Sequence, residues 1–218
     1  MNTLNVFISV GGTANDQQEA FVRNVEDRLK SENIIPNTVG RNKFTADSPL
    51  KAIMELMNEC AGTVVIALER TYLESGKEKR GGQKEQELQQ IKYATPWNQI
   101  EAAIAYSKGQ PLLLILEEGV RSEGLLEKGY DWYVLWVKPA SASLNTAEFN
   151  GVFADWKKKV EKFASNKNQV TAKKPDVAEL SLYDLVKGLK PSHLWAILAG
   201  LATIISGAFA LGAKFFVK

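Results

Sequence analysis

Glu101 is the residue in this sequence whose type and position best suit chemistry. Pro96 predicts the start of a helix, because proline fits the first turn, and Glu101 would then lie near that start. In an α/β domain this places the carboxylate at the carboxyl edge of the sheet, facing a ligand crevice. A second interpretation stays open, in which Glu101 is a first-turn glutamate that the helix dipole stabilises.

Two adjacent glycines, Gly11 and Gly12, directly follow the first predicted strand. Without side chains they could let a phosphate or a ribose approach the backbone. A plain turn between a strand and a helix also uses glycines, so both interpretations stay open. The pair lacks the Lys-Ser/Thr that a Walker P-loop requires.

Several other kinds of chemistry are excluded by composition. One histidine (His193) and one cysteine (Cys60) cannot build a usual zinc site or a catalytic Ser/His/Asp or Cys/His set, so we predict no metal. A single cysteine also cannot form a disulfide within the chain, which fits a reducing compartment. The 27 basic and 25 acidic residues give a net charge of +2, which disfavours a nucleic-acid partner.

A polar segment after the second predicted strand supplies further candidates for ligand contact. They are Arg41, Lys43, Phe44 and Asp47. A solvated loop would account for the same residues equally well.

The apolar pattern predicts strands alternating with helices. Five strands are expected around residues 4–8, 34–35, 63–68, 112–116 and 133–137. Helices are expected up to Ser31, over residues 48–60, from Pro96 and over residues 148–163. This alternation is typical of a doubly wound α/β domain, which binds ligands at the carboxyl ends of its strands.

Two further expectations concern the region around Glu101. Residues 69–95 carry many charges and three glycines, which predicts a long loop with a short polar helix over residues 83–93 that serves as a lid or partner surface. In the helix that follows, Ile100, Ala103 and Ile104 are expected to form the buried stripe.

Three segments resemble the Toll/interleukin receptor (TIR) superfamily and its nucleoside 2-deoxyribosyltransferase-like relatives. Trp97-x-x-x-Glu101, followed by Gly109, Pro111 and a buried strand, is similar to the TIR segment in which a tryptophan precedes the catalytic glutamate by four positions. Val6-Phe7-Ile8-Ser9 resembles the opening strand of these domains, and residues 50–68 resemble a later helix and strand. The resemblance spans roughly residues 4–137.

The resemblance implies a flavodoxin-like parallel sheet of about five strands that binds NAD or a related nucleotide. It also implies that Glu101 is catalytic and stabilises a ribosyl oxocarbenium ion as the nicotinamide bond breaks, because a carboxylate suits developing positive charge. No cofactor is expected beyond that nucleotide. The predicted nucleotide-binding residues are Ser9, Gly11, Gly12, Arg41, Phe44 and Trp97.

The sequence also departs from the TIR pattern. Val10-Gly11-Gly12 replaces the aromatic and basic residues that many TIR domains carry after the first strand. Residues 37–48 lack the usual proline-glycine centre, and the segment before Trp97 is longer than typical. These departures bear on the enzymatic assignment more than on the fold.

The C-terminal part predicts a membrane anchor. Residues 194–213 contain no charge over 20 positions, enough for a helix to cross the hydrocarbon core, although a buried helix of a soluble domain is the alternative. We therefore divide the chain into a TIR-like domain (1–165), a basic linker with a juxtamembrane helix (166–191) and a transmembrane helix (192–214).

Charge and small residues predict how this anchor is arranged. Residues 151–190 carry 9 basic and 5 acidic residues, so the positive-inside bias places the domain in the cytoplasm and the single span in the inner membrane. Small residues at every fourth position of the span favour a homo-oligomer, although such residues are also simply common in membrane helices.

Three functional hypotheses follow. The first is a membrane-anchored effector of bacterial antiphage defence that cleaves NAD on oligomerisation, to deplete it or to make a cyclic messenger. The second is a non-catalytic receptor for a nucleotide signal, whose clustered transmembrane helices disrupt the membrane. The third is a scaffold that uses the fold for assembly.

Overall fold

The computed structural model describes residues 3–128 and 132–172. Met1–Gln169 forms one compact unit, and Val170–Lys218 is a second, described up to residue 172. The predicted juxtamembrane helix and transmembrane helix lie outside the described residues. Within the described ranges, no helix is both long and apolar enough to cross a membrane.

A parallel sheet forms the centre of the domain. The strands in the described residues are β1 (Leu4–Val10), β2 (Ile34–Asn37), β3 (Thr63–Ala67), β4 (Thr71–Glu78), β5 (Gln86–Tyr93), β6 (Leu112–Glu117) and β7 (Val134–Val137). Five of them form one sheet in the order β2-β1-β3-β6-β7, with every neighbouring pair parallel. This is the flavodoxin-like order, so the predicted fold class and strand number are confirmed.

Helices cover both faces of this sheet. They are α1 (Asp16–Ser31), α2 (Pro49–Glu59), α3 (Pro96–Ser107) and α4 (Ala147–Ala172). On one face, Phe21 and Val25 of α1 and Phe153 of α4 pack in the same core as Ile8. On the other face, Met57 of α2 and Ala105 of α3 pack in the same core as Phe7. Because both faces are covered, the central strands β3 and β6 are apolar on both sides, as the sequence predicts.

The segment predicted as a loop with a polar helix is a β-hairpin, and that prediction is wrong. Strands β4 and β5 pair antiparallel from Thr71↔Tyr93 to Glu78↔Gln86. Lys79 and Gly81 take positive φ angles in the connecting turn. The helix prediction failed because Glu, Gln and Lys favour helices by themselves, whereas here pairing between two segments decides the conformation.

The buried face of α3 also differs from the prediction. Its buried residues are Asn98, Glu101, Ala102 and Ala105, whereas Ile100 is exposed. The predicted stripe is therefore wrong for Ile100 and Ala103, whereas Ile104 is partly buried and packs against the core. The alanines let the helix approach the sheet closely, and the polar pair lies at the sheet edge where hydrogen-bond partners are present.

The last helix is longer than predicted. It continues to Ala172, so residues 166–172, which the sequence assigns to the linker, are helical. These residues contain neither glycine nor proline, so nothing local ends the helix at Phe163.

Two glycines in different environments test this packing. A Cβ atom at Gly62 would lie 2.6 Å from Val160 Cγ2 and 3.4 Å from Trp156 Cζ2, whereas a Cβ atom at Gly151, inside α4, meets nothing within 4 Å. We expect Gly62→Ala to lower the free energy of unfolding by about 1 to 3 kcal/mol through overpacking. Gly151→Ala should raise it by about 0.5 to 1 kcal/mol through helix propensity. Urea unfolding followed by tryptophan fluorescence measures both, and equal changes in the two variants would contradict this packing.

Candidate functional site

The candidate site lies at the switch point of the sheet. The chain leaves the carboxyl ends of β1 and β3 toward opposite faces, and such a divergence opens a crevice in doubly wound domains. The crevice is lined on one side by Val10, Gly11 and Gly12 and on the other by Leu68, Glu69 and Arg70. Its cavity volume is only ≈ 10 Å³, which holds about one water molecule.

Two contacts keep the crevice narrow. Arg70 Nη1 donates to the Gly12 carbonyl oxygen across it at 3.1 Å. A Cβ atom at Gly11 would lie 3.0 Å from Thr95 Cγ2, so a larger residue there would have to displace the Thr95 side chain. In this closed state the glycine pair therefore makes room for the side chains of Thr95 and Arg70.

A buried amide fixes the loop after β1 against the neighbouring strands. Gln18 Nε2 donates to the Glu69 carbonyl oxygen at 3.0 Å and to Glu117 Oε2 at 3.4 Å, while its Oε1 accepts from the Ala14 N–H at 2.8 Å. Glu117 Oε2 also accepts from the Glu69 N–H at 2.8 Å. Gln18 and Glu117 are both buried, so a rigid network of hydrogen bonds lies beneath the crevice.

Glu101 lies beside this crevice in a small polar cluster. Its side chain is hydrogen-bonded to Ser9, at the end of β1, and the residue is 8% exposed. Asn98 Nδ2 donates to Ser9 Oγ at 2.9 Å. Because Ser9 Oγ accepts this bond, its own hydrogen is available for the Glu101 carboxyl group.

Burial controls the protonation of Glu101. Desolvation raises the pKa of its carboxyl group from 4.5 to about 7, and the hydrogen bond from Ser9 lowers it in part. Glu101 is the sixth residue of α3, and the first turn of this helix holds no acidic residue. The interpretation as a first-turn glutamate is therefore wrong, and so is the position at the helix start.

Asn98 is a site residue that the sequence analysis missed. It is 1% exposed, lines the crevice, and its Oδ1 atom has no hydrogen-bond partner within the described part of the chain. A buried acceptor without a partner is costly unless something supplies a donor. Its position three residues before Glu101, on the same face of α3, is the signal that could have found it.

The other predicted binding residues are placed differently. Arg41 contacts α1, where its guanidinium bonds to Glu19 at 2.7 Å and to Glu26 at 2.8 Å. The bond from Arg41 lowers the pKa of Glu19 to about 2, and Thr13 Oγ1 also donates to Glu19 at 3.1 Å. Arg41 is thus linked to the loop after β1 through a carboxylate.

Two aromatic candidates are exposed. Phe44 is 79% exposed in the segment between β2 and α2, and Trp97 is 40% exposed at the start of α3. The structure therefore brings together Ser9, Gly11, Gly12 and Glu101, whereas neither Phe44 nor Trp97 is among the described residues that line the crevice.

A second cavity adjoins the crevice and shares Thr95 with it. Its volume is ≈ 300 Å³, within the range of small-ligand sites, and its walls include Tyr93, Gln99 and Arg121. Arg121 donates to both Glu78 carboxylate oxygens at 2.9 Å and lies 5.8 Å from the centre of the Tyr93 ring. The sequence analysis missed this cavity because the β4–β5 hairpin builds one of its walls. Across the described ranges, no group of three or more potential ligands could hold a metal ion.

Comparisons with known proteins found similarity among solved structures. A solved structure that matches is the activated Roq1 resistosome directly recognizing the pathogen effector XopQ, in its TIR domains. The identity is 13%, the match covers 91% of this chain and 99% of that chain, and the TM-score is 0.34. No family model matches the sequence, and no curated protein matches it.

The raised pKa of Glu101 predicts how stability changes with pH. Between its unfolded value of 4.5 and its folded value of about 7, the folded state holds the proton more tightly. The free energy of unfolding therefore falls as pH rises through this window. Glu101→Gln should not show this fall, because glutamine does not titrate. We expect the free energy of unfolding of Glu101→Gln, relative to that of the wild type, to be higher at pH 8 than at pH 5 by about 2 to 3 kcal/mol.

Urea unfolding of the detergent-solubilised chain at both pH values measures this gain. Glu118→Gln is the matched control, because it makes the same substitution at an exposed glutamate, directly after β6. A difference between wild type and Glu101→Gln that does not change with pH would contradict the burial of an ionisable carboxyl group.

Proposed function

We propose that this chain is a membrane-anchored TIR-like effector that cleaves NAD at the nicotinamide–ribose bond when it oligomerises. The observation that carries the proposal is the buried Glu101 carboxyl group, bonded to Ser9 beside the crevice at the switch point. The Trp97-x-x-x-Glu101 motif and the flavodoxin-like strand order support it. Bacterial antiphage defence at the inner membrane is the proposed setting.

The chemistry requires a group that favours positive charge on the ribose. When the bond from the ribose to the nicotinamide nitrogen breaks, its electron pair leaves with the nicotinamide and the ribose becomes an oxocarbenium ion. An ionised Glu101 in a site of low dielectric would stabilise this cation, and a water or ribose hydroxyl would then complete the reaction. A pKa of about 7 makes the ionised form available near neutral pH.

Asn98 supplies a contact for the ribose in this proposal. Its Oδ1 atom lacks a partner and lies in a residue that lines the crevice. A ribose hydroxyl could donate to it, which would satisfy a buried acceptor on binding.

The closed crevice fits a requirement for assembly. A volume of ≈ 10 Å³ cannot admit a nucleotide, since small-ligand sites occupy about 300 to 1,000 Å³. Binding must therefore separate Arg70 from the Gly12 carbonyl oxygen. We propose that contacts between copies, concentrated by the membrane anchor, provide this opening.

A non-catalytic nucleotide receptor is the second candidate. The observation that favours it is that Glu101 is absent from the residues lining the crevice, whereas Gly11 and Gly12 are present. As a receptor, the chain would bind a nucleotide that opens the crevice, and its clustered transmembrane helices would disrupt the membrane.

A direct test is nicotinamide release from NAD by the detergent-solubilised chain at high protein concentration. We expect Glu101→Gln to lose at least about 100-fold in rate, since it removes the stabilising charge. The exposed control Glu118→Gln should retain the wild-type rate. No release from the wild type, even after crosslinking into oligomers, would contradict the enzyme and favour the receptor.

The pH dependence of this rate is a separate prediction. The ionised Glu101 is the active form, and the pKa is about 7, so the rate should rise as pH increases. From pH 6 to pH 8 the ionised fraction grows about tenfold, and so should the rate at saturating NAD. A rate that falls over this range would mean that Glu101 acts as an acid.

A further inference from the structure

A third cavity, a cleft, lies at the amino ends of the strands, opposite the end at which Glu101 lies. It is bounded by the end of α3, the residues preceding β6 and β7, and one face of α4. Its volume is ≈ 450 Å³, which is within the range for small-ligand sites. All of its described walls belong to the unit Met1–Gln169.

The cleft has aromatic walls whose positions are fixed by contacts. Tyr106 and Trp132 pack edge to face, with ring centres 5.2 Å apart. Trp156 Nε1 donates to the Pro111 carbonyl oxygen at 3.1 Å, and its ring is tilted by 46° against the Phe153 ring, with ring centres 5.7 Å apart. Rings held in this way form a cleft that does not have to be built when a ligand binds.

The charged side chains of α4 that line the cleft favour a ligand with a negative charge. Asp155, Lys159 and Lys162 line the same wall, because residues three and four apart share a helix face. Lys159 is paired with Asp155 at 2.7 Å. Lys162 has no ion pair within the described part of the chain, so the wall carries one unbalanced positive charge.

Two other polar side chains of the cleft, Gln110 and Tyr133, form hydrogen bonds outside it. Gln110 donates to the Met57 and Cys60 carbonyl oxygens and accepts from Thr63. The Tyr133 hydroxyl donates to Glu148. Stacking on the rings and one ion pair are therefore the main interactions that the cleft offers. Aromatic walls alone would also suit a cation, but the ammonium groups of α4 disfavour one.

We propose that this cleft binds a planar aromatic molecule carrying one negative charge, at a site separate from the Glu101 crevice. The rings of Trp132 and Tyr106 contact the flat face or edge of the ligand, and the nearly buried Trp156 offers only the small part of its ring that lines the cleft. Lys162 pairs with its anionic group.

The probe for a test is 2-naphthoate, with neutral 2-naphthamide as the matched control. Both are titrated into the ¹⁵N-labelled full chain in maltoside micelles, and the indole N–H signals are followed by NMR. We expect saturable shifts of the Trp132 and Trp156 signals with 2-naphthoate, while the signal of Trp97, at the opposite edge of the sheet, stays in place.

Two charge reversals on the same helix identify the ion pair. Lys162→Glu should weaken 2-naphthoate binding by about fivefold or more, since it replaces attraction by repulsion. Lys158→Glu, which changes an exposed residue outside the cleft, should leave the affinity within about twofold. Glu101→Gln should bind 2-naphthoate like the wild type.

Several results would overturn the proposal. They are the absence of saturable shifts, equal binding of 2-naphthamide and 2-naphthoate, and equal weakening by Lys162→Glu and Lys158→Glu. Loss of binding in Glu101→Gln would also overturn it, because the site would then not be separate from the crevice.

Discussion

Close packing of α3 against the sheet is the constraint on which the candidate site depends. Ala102 and Ala105 are completely buried, and their small side chains let the helix lie close to the strands. This approach brings Asn98 and Glu101 to the end of β1, where Ser9 meets both side chains. A larger residue at either alanine would move the helix outward and separate these groups. The unusual protonation of Glu101 is therefore a consequence of helix packing.

At the carboxyl ends of the strands, a rigid network of buried hydrogen bonds lies beneath a crevice that is closed. Gln18 and Glu117 tie the loop after β1 to the segment after β3 through buried hydrogen bonds. Above this network, one exposed hydrogen bond from Arg70 to Gly12 closes the crevice. Since an exposed hydrogen bond contributes little net free energy, opening is less costly at Arg70 than at Gln18. A ligand would therefore enter by displacing the Arg70 side chain from the Gly12 carbonyl oxygen.

Much of this fold is predictable from the sequence, because continuous apolar strands such as β3 and β6 can only be buried ones. The hairpin was not predictable, because its charged residues favour a helix until two segments pair. Part of the site was found through Glu101 and the glycine pair. Asn98 was missed because a buried polar residue breaks the apolar pattern used to assign the inner face of α3, and Arg121 was missed with the hairpin that surrounds it.

Glu101 is a buried carboxyl group that is held by Ser9 rather than by any charged neighbour. The most direct measurement is the pKa of Glu101, from the carboxyl carbon signal of ¹³C-labelled protein, assigned by comparison with Glu101→Gln. The structure predicts a midpoint at about pH 7. In Ser9→Ala the midpoint should rise further, because the hydrogen bond that favours the ionised form is lost. A midpoint near the ordinary value of 4.5, unchanged in Ser9→Ala, would show that Glu101 is neither buried nor bonded to Ser9.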